Sequence, residues 1–250
     1  MIDLHTHILP ETDDGSKSIE QSIKILKEAK EAGFNTICCT PHYFEHSFIK
    51  TKEENEEKIN TLRARVIEEK IDINIILGNE IYISDKIIEN IDNQIVSCIG
   101  NTNYLLIELP MTQEIKYLHE IFTEILNKGY RIIIAHPERY KYVQKNPEYF
   151  IEFINRGIYF QGNYGSIIGK YGLEAQKTIK KLLKKNLIHV LSTDTHRDKS
   201  VYLEMDKINK KLKRIIDDKS FKILTEENPI LLLSNNELII QEPKIKKFFK

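Results

Sequence analysis

Five histidines and a set of carboxylates in this 250-residue chain have the residue types to act together: His5, His7, His42, Glu80, Glu108, His136, Asp194 and His196. Neutral imidazole nitrogen and carboxylate oxygen suit zinc, manganese and iron. The set exceeds what one ion needs, and carboxylates such as Glu80 or Asp194 can bridge neighbouring ions, so two or three divalent cations are expected. Such a cluster lowers the pKa of a bound water and clamps a phosphoryl group for in-line displacement. Each residue also has a plainer reading. His-x-His recurs by chance, and a single histidine beside a strand is ordinarily a satisfied core residue. Glu108 after Leu105-Leu106-Ile107 is harder to dismiss, because a carboxylate beside a buried strand needs a partner. His136 after Ile132-Ile133-Ile134-Ala135 repeats the anomaly.

What unites these residues is their place relative to the strands. Short β-branched runs at 2–6, 35–40, 74–77, 104–109, 131–135, 157–161 and 189–193 alternate with amphipathic stretches. Several runs are almost continuous in Ile, Leu and Val, as strands buried on both faces are. Helices are expected at 52–69, 147–156, 173–186 and 201–217. Two more are marked by their ends. Ser18 and Gln21 form a capping-box pattern ahead of Ile19, Ile23, Leu26 and Ala29, with Gly33 as the stop, and Ile115, Leu118, Phe122, Ile125 and Leu126 precede Gly129.

A strand–helix alternation repeated about seven times implies parallel strands joined by crossovers. The expectation is an α/β fold in one domain over 1–250, with only a short basic tail, about 243–250, fraying. His5 and His7 end the first strand, His42 follows the second, and Glu80 follows the third. Glu108 and His136 end the fourth and fifth, Asn163 follows the sixth, and Asp194 and His196 lie just beyond the seventh. In a parallel barrel these ends share one rim, where active sites are built from the βα loops.

Lys plus Arg and Asp plus Glu each total 37, a balance without the basic surplus of a nucleic-acid binder. No apolar run approaches the roughly 18 residues that span a bilayer. The start, Met-Ile-Asp-Leu-His-Thr-His, has neither the basic region nor the apolar core of a signal peptide. A cytoplasmic protein without membrane insertion is expected, and Cys38, Cys39 and Cys98 make a poor disulfide framework that fits it. His46, His119 and His189 read as structural. Arg139, three residues past His136, has a guanidinium suited to phosphate oxygens.

His5-Thr6-His7, Asp13-Asp14-Gly15, Thr40-Pro41-His42, Gly78-Asn79-Glu80-Ile81-Tyr82, His136-Pro137-Glu138-Arg139 and Ser192-Thr193-Asp194-Thr195-His196 together resemble the PHP (polymerase and histidinol phosphatase) superfamily. Within it the chain looks most like the bacterial manganese-dependent protein-tyrosine phosphatases of capsule and exopolysaccharide clusters. The resemblance covers nearly the whole chain, in order. It implies a distorted (β/α)7 TIM-like barrel and a trinuclear metal site, with His5, His7, Asp14, His42, Glu80, Glu108, His136, Asp194 and His196 as ligands. Asp14 is a ligand by resemblance alone, since Asp13-Asp14-Gly15 reads from sequence as a turn. Arg139 would bind phosphate. A second arginine that the family often carries, in a Gly-Arg setting after the last Asp-x-His, is replaced by Arg197-Asp198-Lys199-Ser200, where either Arg197 or Lys199 substitutes or the role is absent.

The expected reaction is direct attack of a metal-bridging hydroxide on phosphotyrosine, with Arg139 neutralising charge on the equatorial oxygens and His42 or Asp194 as the acid. Manganese is the first expectation for the metal, iron or zinc the alternatives. Cysteine-based tyrosine phosphatases need Arg six residues after Cys, and those offsets hold Phe44, Glu45 and Tyr104, so the cysteines read as core. The resemblance implies the tyrosine-rich tail of a bacterial autokinase as partner. Two other readings stand beside it: a phosphatase for histidinol phosphate or another small phosphomonoester, and a non-catalytic binding module on the same fold.

Overall fold

A computed structural model describes residues 1–244, so the tail expected at about 243–250 lies outside the described residues from residue 245 on. Among the described residues the apolar runs form nine short strands. They are β1 (Ile2–Thr6), β2 (Thr36–Cys39), β3 (His42–Tyr43), β4 (Asn74–Leu77) and β5 (Glu80–Tyr82), then β6 (Tyr104–Glu108), β7 (Arg131–Ala135), β8 (Tyr159–Asn163) and β9 (Val190–Ser192). Between the early strands run α1 (Ile19–Glu31), α2 (Lys52–Glu68) and α3 (Ile87–Asp92). The later crossovers hold α4 (Leu118–Asn127), α5 (Lys141–Lys145), α6 (Ile151–Ile154), α7 (Tyr164–Ile168) and α8 (Leu173–Lys184). After β9 come α9 (Met205–Leu212), α10 (Asp218–Lys222) and α11 (Asn228–Leu233). No helix among the described residues is long and apolar enough to cross a membrane.

Among the described residues the named strands pair in parallel, in a three-stranded sheet β1-β2-β4 and a six-stranded sheet β3-β5-β6-β7-β8-β9. The second and third runs, expected as single strands, are each broken in two. Pro41, with no N–H to give a ladder, separates β2 from β3. Gly78 separates β4 from β5, where a Cβ would come within 3.3 Å of the Ile99 Cα. Both strands change sheets across the break, and His42 and Glu80 emerge directly opposite one another on β3 and β5. Backbone bonds link the first strand to the segment after the last: Asp194 N donates to His5 O (3.0 Å) and His7 N to Thr195 O (2.8 Å).

Side-chain alternation sorts the core into two layers. Ile37, Cys39, Leu105, Ile107, Ile132, Ile134, Phe160 and Leu191 pack under the helices. Cys38, Tyr104, Leu106, Ile133, Ala135, Tyr159 and Val190 face the other way and meet Leu232 and Leu238 from the C-terminal segment. Adjacent Cys38 and Cys39 thus point to opposite layers. The segment after α11 is tied down by Tyr104 Oη donating to Asn236 O (2.6 Å) and Arg131 Nη1 to Asn235 O (2.9 Å).

The helix ends follow their sequence signals with three adjustments. Ser18 Oγ accepts from Gln21 N (3.3 Å), but Gln21 Oε1 takes the Lys17 N–H (2.8 Å), so the reciprocal bond shifts one residue out. Thr51 and Glu54 complete a full capping box on α2. The helix expected at 147–156 contracts to α6, and that expected at 201–217 opens as a 3-10 turn at Val201–Glu204 before α9.

Candidate metal centre

The inner-face positions at the strand tops carry polar side chains where the lower positions carry apolar ones. On β6 the series Tyr104, Leu106, Glu108 turns polar at its end, and on β8 Tyr159 is followed by Gln161 and Asn163. In β1 the register slips by one residue between Asp3 and Thr6, a bulge that lets Leu4 join the inner layer while His5 also turns inward onto Gln161. His136 (φ 33°) and Asp194 (φ 55°) adopt left-handed backbone just past β7 and β9. This region is rare for non-glycine residues and here turns both side chains into the cluster.

These devices bring the nine sequence-named ligand candidates together. His5 Nε2 lies 3.1 Å from Glu80 Oε2 and 3.6 Å from Asp194 Oδ1, and His7 Nε2 lies 3.1 and 3.4 Å from the same atoms. A second group joins His42 Nδ1 to Glu80 Oε2 (3.2 Å) and Glu108 Oε2 (3.8 Å). His136 Nε2 flanks it, 2.9 Å from Glu80 Oε1 and 3.5 Å from Glu108 Oε1. A third, nearer the surface, sets His196 Nε2 and His42 Nε2 3.4 and 3.7 Å from Asp14 Oδ1, with the His7 ring stacked on His196 at 4.0 Å. Each of the sets His5/His7/Glu80/Asp194, His42/Glu80/Glu108 and His7/Asp14/His42/His196 has ligand atoms within 4.8 Å of one another. The sets overlap, and chemistry limits the sharing. His7 has one free nitrogen, and a neutral His42 has one lone pair although both its nitrogens face carboxylates.

Residues behind the cluster fix its tautomers, as such partners do for metal-binding histidines. Asp13 Oδ2 accepts from His7 Nδ1 (2.7 Å) and His42 N (2.9 Å), while its Oδ1 accepts from Gly15 N (2.9 Å). Gln161 Nε2 donates to Gly162 O and Asn163 Oδ1, so its Oε1 must be the atom that accepts from His5 Nδ1 at 2.8 Å. With both Nδ1 atoms as donors, the Nε2 lone pairs of His5 and His7 face each other at 3.1 Å. Beside them buried Glu80 Oε2 has three imidazole nitrogens within 3.2 Å and accepts a directed hydrogen bond from none. Lone pairs pointed at one another in a buried site call for positive charge, which a bound cation would supply.

The electrostatics agree. Burial works against charge on His5, yet Glu80 and Asp194 outweigh it and raise its pKa to about 9. Burial likewise opposes ionisation of Glu80 and is overcome by His5 and His42, so Glu80 stays a carboxylate. Glu108, buried and beside charged Glu80, is pushed up to about 8. Burial, reinforced by the Arg139 charge, lowers His136 to about 4. The field of Glu80 and Asp194 thus favours positive charge at His5, the charge that a bound cation would supply.

Arg139 closes one side. Its Nη1 donates to Asp194 Oδ2 (2.9 Å), and its guanidinium lies over the Tyr171 ring, 4.8 Å from the centroid. Asp194 Oδ2 also receives Asn163 Nδ2 (2.8 Å) and Tyr171 Oη (3.4 Å). Glu138, buried and pushed up to about 7, accepts from Asn163 N (3.0 Å) and Ser166 Oγ (2.6 Å), holding that donor in place. Arg197 and Lys199 are exposed on a loop pinned by Glu28, which accepts from Lys199 N (2.9 Å) and Ser200 N (3.0 Å). Of the histidines read as structural, His189 is buried with Nδ1 accepting from Phe160 N, and His119 sits in an exposed contact with Glu152.

Sequence reasoning missed three residues that touch this centre. Asp13 was half visible as part of an acidic turn, and Gln161 was detectable as a polar residue at an inner strand position. Tyr171, in the loop after α7, carries no local signal.

Comparison with known proteins places these features. The CpsB/CapC family, described as capsular polysaccharide synthesis, matches residues 1–234. The tyrosine-protein phosphatase YwqE of Bacillus subtilis is 30% identical over 244 residues, covering 98% of this chain and 96% of that protein. Among solved structures, a chain from the crystal structures of YwqE from Bacillus subtilis and CpsB from Streptococcus pneumoniae, described as unique metal-dependent tyrosine phosphatases, superposes with a TM-score of 0.92. It is 29% identical, with 99% of this chain and 100% of that chain covered. A Lactococcus lactis histidinol phosphate phosphatase with zinc, L-histidinol and phosphate shares the fold at a TM-score of 0.57 and 19% identity, covering 86% and 93%.

Proposed function

The chain belongs to the CpsB/CapC family of capsular polysaccharide synthesis, and on that premise we propose that it is a metal-dependent phosphomonoesterase acting on phosphotyrosine in a protein. The observation that carries the metal dependence is the pair of facing lone pairs on His5 and His7, 3.1 Å apart beside an orphaned Glu80 oxygen. The tyrosine specificity is supported by the likeness to YwqE and CpsB, both described as tyrosine phosphatases. The ligands in this reading are His5, His7, Asp14, His42, Glu80, Glu108, His136, Asp194 and His196. They hold two or three divalent cations, manganese first, with iron or zinc as alternatives. The two sheets are read as one distorted (β/α)7 barrel in a single domain, supported by the backbone bonds between His5–His7 and Asp194–Thr195.

When bound, the cations supply a water of lowered pKa and positive charge facing the phosphoryl oxygens. The chain does the rest. Arg139, stacked on Tyr171 and tethered by Asp194, has further N–H groups free for the equatorial oxygens. Asp13 and Gln161 hold the His7 and His5 rings so that each turns Nε2 inward. Of the two groups placed to hand a proton to the leaving oxygen, Asp194 already carries three donors, which favours His42 on the more open side. A phenolate leaves readily, so the acid's contribution is modest. Phe44 and Tyr82, ring centroids 4.6 Å apart, and Phe48, stacked on His42 at 5.6 Å, offer aromatic faces to a phenol ring at this rim. The partner in this reading is the tail of a bacterial tyrosine autokinase, met in the cytoplasm, where three free cysteines are at home.

The test uses purified protein. Chelation should abolish hydrolysis of a phosphotyrosine peptide, manganese should restore it, and a variant lacking Cys38, Cys39 and Cys98 should keep it. Inactivity of a folded cysteine-free protein would overturn the metal mechanism. Faster turnover of histidinol phosphate than of the peptide would move the assignment to small phosphomonoesters. A folded, metal-free and inactive protein would leave a binding module.

A further inference from the structure

Where the two sheets part, between β4 and the beginning of β6, a cleft of about 760 Å³ opens that shares no residue with the metal-ligand cluster. That volume lies within the roughly 300–1,000 Å³ of small-molecule sites. Its floor is apolar, from buried Ile59, Leu77, Val96 and Leu105. Its walls carry neutral amides beside Lys52, Glu56 and Arg63. Asn74, Gln94 and Asn101 are exposed there, and among the described residues their side chains enter no hydrogen bond with protein. Ser97 lines the same space, is 6% exposed, and has a buried hydroxyl without a partner.

Two features narrow the occupant. The outward carbonyls of β4 are already taken, Ile75 O by Arg63 Nε and Nη2 (3.1 and 2.9 Å) and Leu77 O by Gly100 N (2.7 Å). A peptide strand therefore finds no open edge to add to. Charge is sparse as well. Lys52 faces Glu56 at 4.0 Å and Arg63 is engaged with Ile75 and Asn60, too little free positive charge for a nucleotide's phosphates. What remains is a surface of amides and a hydroxyl over an aliphatic floor with Tyr130 at one side. An amide presents donor and acceptor together, which matches neighbouring hydroxyls on a sugar ring, while the ring's C–H face suits aliphatic and aromatic surface.

The geometry points to a carbohydrate-binding site in this cleft, separate from the phosphatase centre, that accepts a short saccharide through Asn74, Gln94, Ser97 and Asn101. The test is backbone NMR of the full chain titrated with cellotriose, maltotriose, chitotriose and trigalacturonate. At least one should shift signals of residues 94–101 and Asn74 while leaving His5 and Asp194 in place. The double variant Gln94→Ala/Asn101→Ala changes two exposed residues and should fold with an unchanged melting temperature and bind the same saccharide at least tenfold more weakly. Ser97→Ala should weaken binding severalfold. No shift at millimolar saccharide, shifts centred on the metal cluster, or equal binding by the double variant would each overturn the site.

Discussion

Replacing Asp13 with Asn tests whether a residue that touches no metal in this reading nevertheless sets metal affinity. Three donors converge on this buried carboxylate: His7 Nδ1 and His42 N on Oδ2, and Gly15 N on Oδ1, at 2.7–2.9 Å. Asparagine has one acceptor oxygen. Turned toward His7 and His42 it sets its NH₂ against the Gly15 N–H, and turned the other way it sets it against two donors. Either arrangement strands at least one buried donor, at about 1–3 kcal/mol. The negative charge that orients the His7 ring is lost as well. Loss of such a partner typically weakens metal binding roughly 10–100-fold, about 1.4–2.7 kcal/mol, the same size as the hydrogen-bond estimate. Competition against a fluorescent chelator gives the manganese Kd, and urea unfolding in EDTA gives the stability lost without metal. A variant that binds manganese within twofold of the parent, with the same urea midpoint in EDTA, would refute the role assigned to Asp13.

Gly15→Ala should be more severe, because its Cβ would sit 1.9 Å from His7 O and 2.6 Å from His7 Cβ, so backbone must move; metal content by mass spectrometry should fall well below that of the parent, and parent-like content would contradict the crowding. Arg139→Lys keeps charge but loses the planar contact with Tyr171 and the forked donors. Its kcat/KM on a phosphotyrosine peptide should drop on the order of 10–100-fold, the value of one charge-assisted contact, and retention of full activity would remove Arg139 from phosphate binding. Burial holds His189 down at about 3 against an unperturbed 6.5, so in acid the unfolded chain takes up this proton before the folded one. Its contribution is intact above pH 6.5 and is lost toward pH 3, at up to about 1.4 kcal/mol per pH unit. His189→Asn keeps an acceptor for Phe160 N without the titration, so urea midpoints in EDTA between pH 7 and 5 should fall less steeply than in the parent, and parallel curves would refute the burial argument.

The sequence disclosed more of the centre than of the architecture around it. Glu108 and His136 stand out because each interrupts an otherwise apolar strand, and that anomaly is written in neighbouring residues. Eight of the nine candidates could be named because strand order places all strand tops on one rim, and Asp14 came from the family resemblance alone. The breaks at Pro41 and Gly78 were not foreseen: a proline between two apolar stretches reads as an end, and only pairing partners reveal that the chain resumes in another sheet. The bulge in β1 is invisible in the same way, since it exists only relative to β2. The contact of Tyr171 with the cluster depends on elements far along the chain and nothing beside that residue announces it, whereas Gln161 shows as a polar residue in a buried strand although its partner His5 is far away in sequence.

The bonds between β1 and the segment after β9 have a consequence for how the protein is made. The inner ion group needs His5 and His7 from the earliest residues and Asp194 from near the end, so the first imidazoles leave the ribosome long before their carboxylate partner exists. No chain that stops short of Asp194 holds the complete inner set, and ions are expected to enter only after most of the fold has been made. Protein accumulated in metal-starved cells should then gain activity on manganese resupply even with translation blocked, and recovery that requires new synthesis would argue that metal must be captured during folding instead.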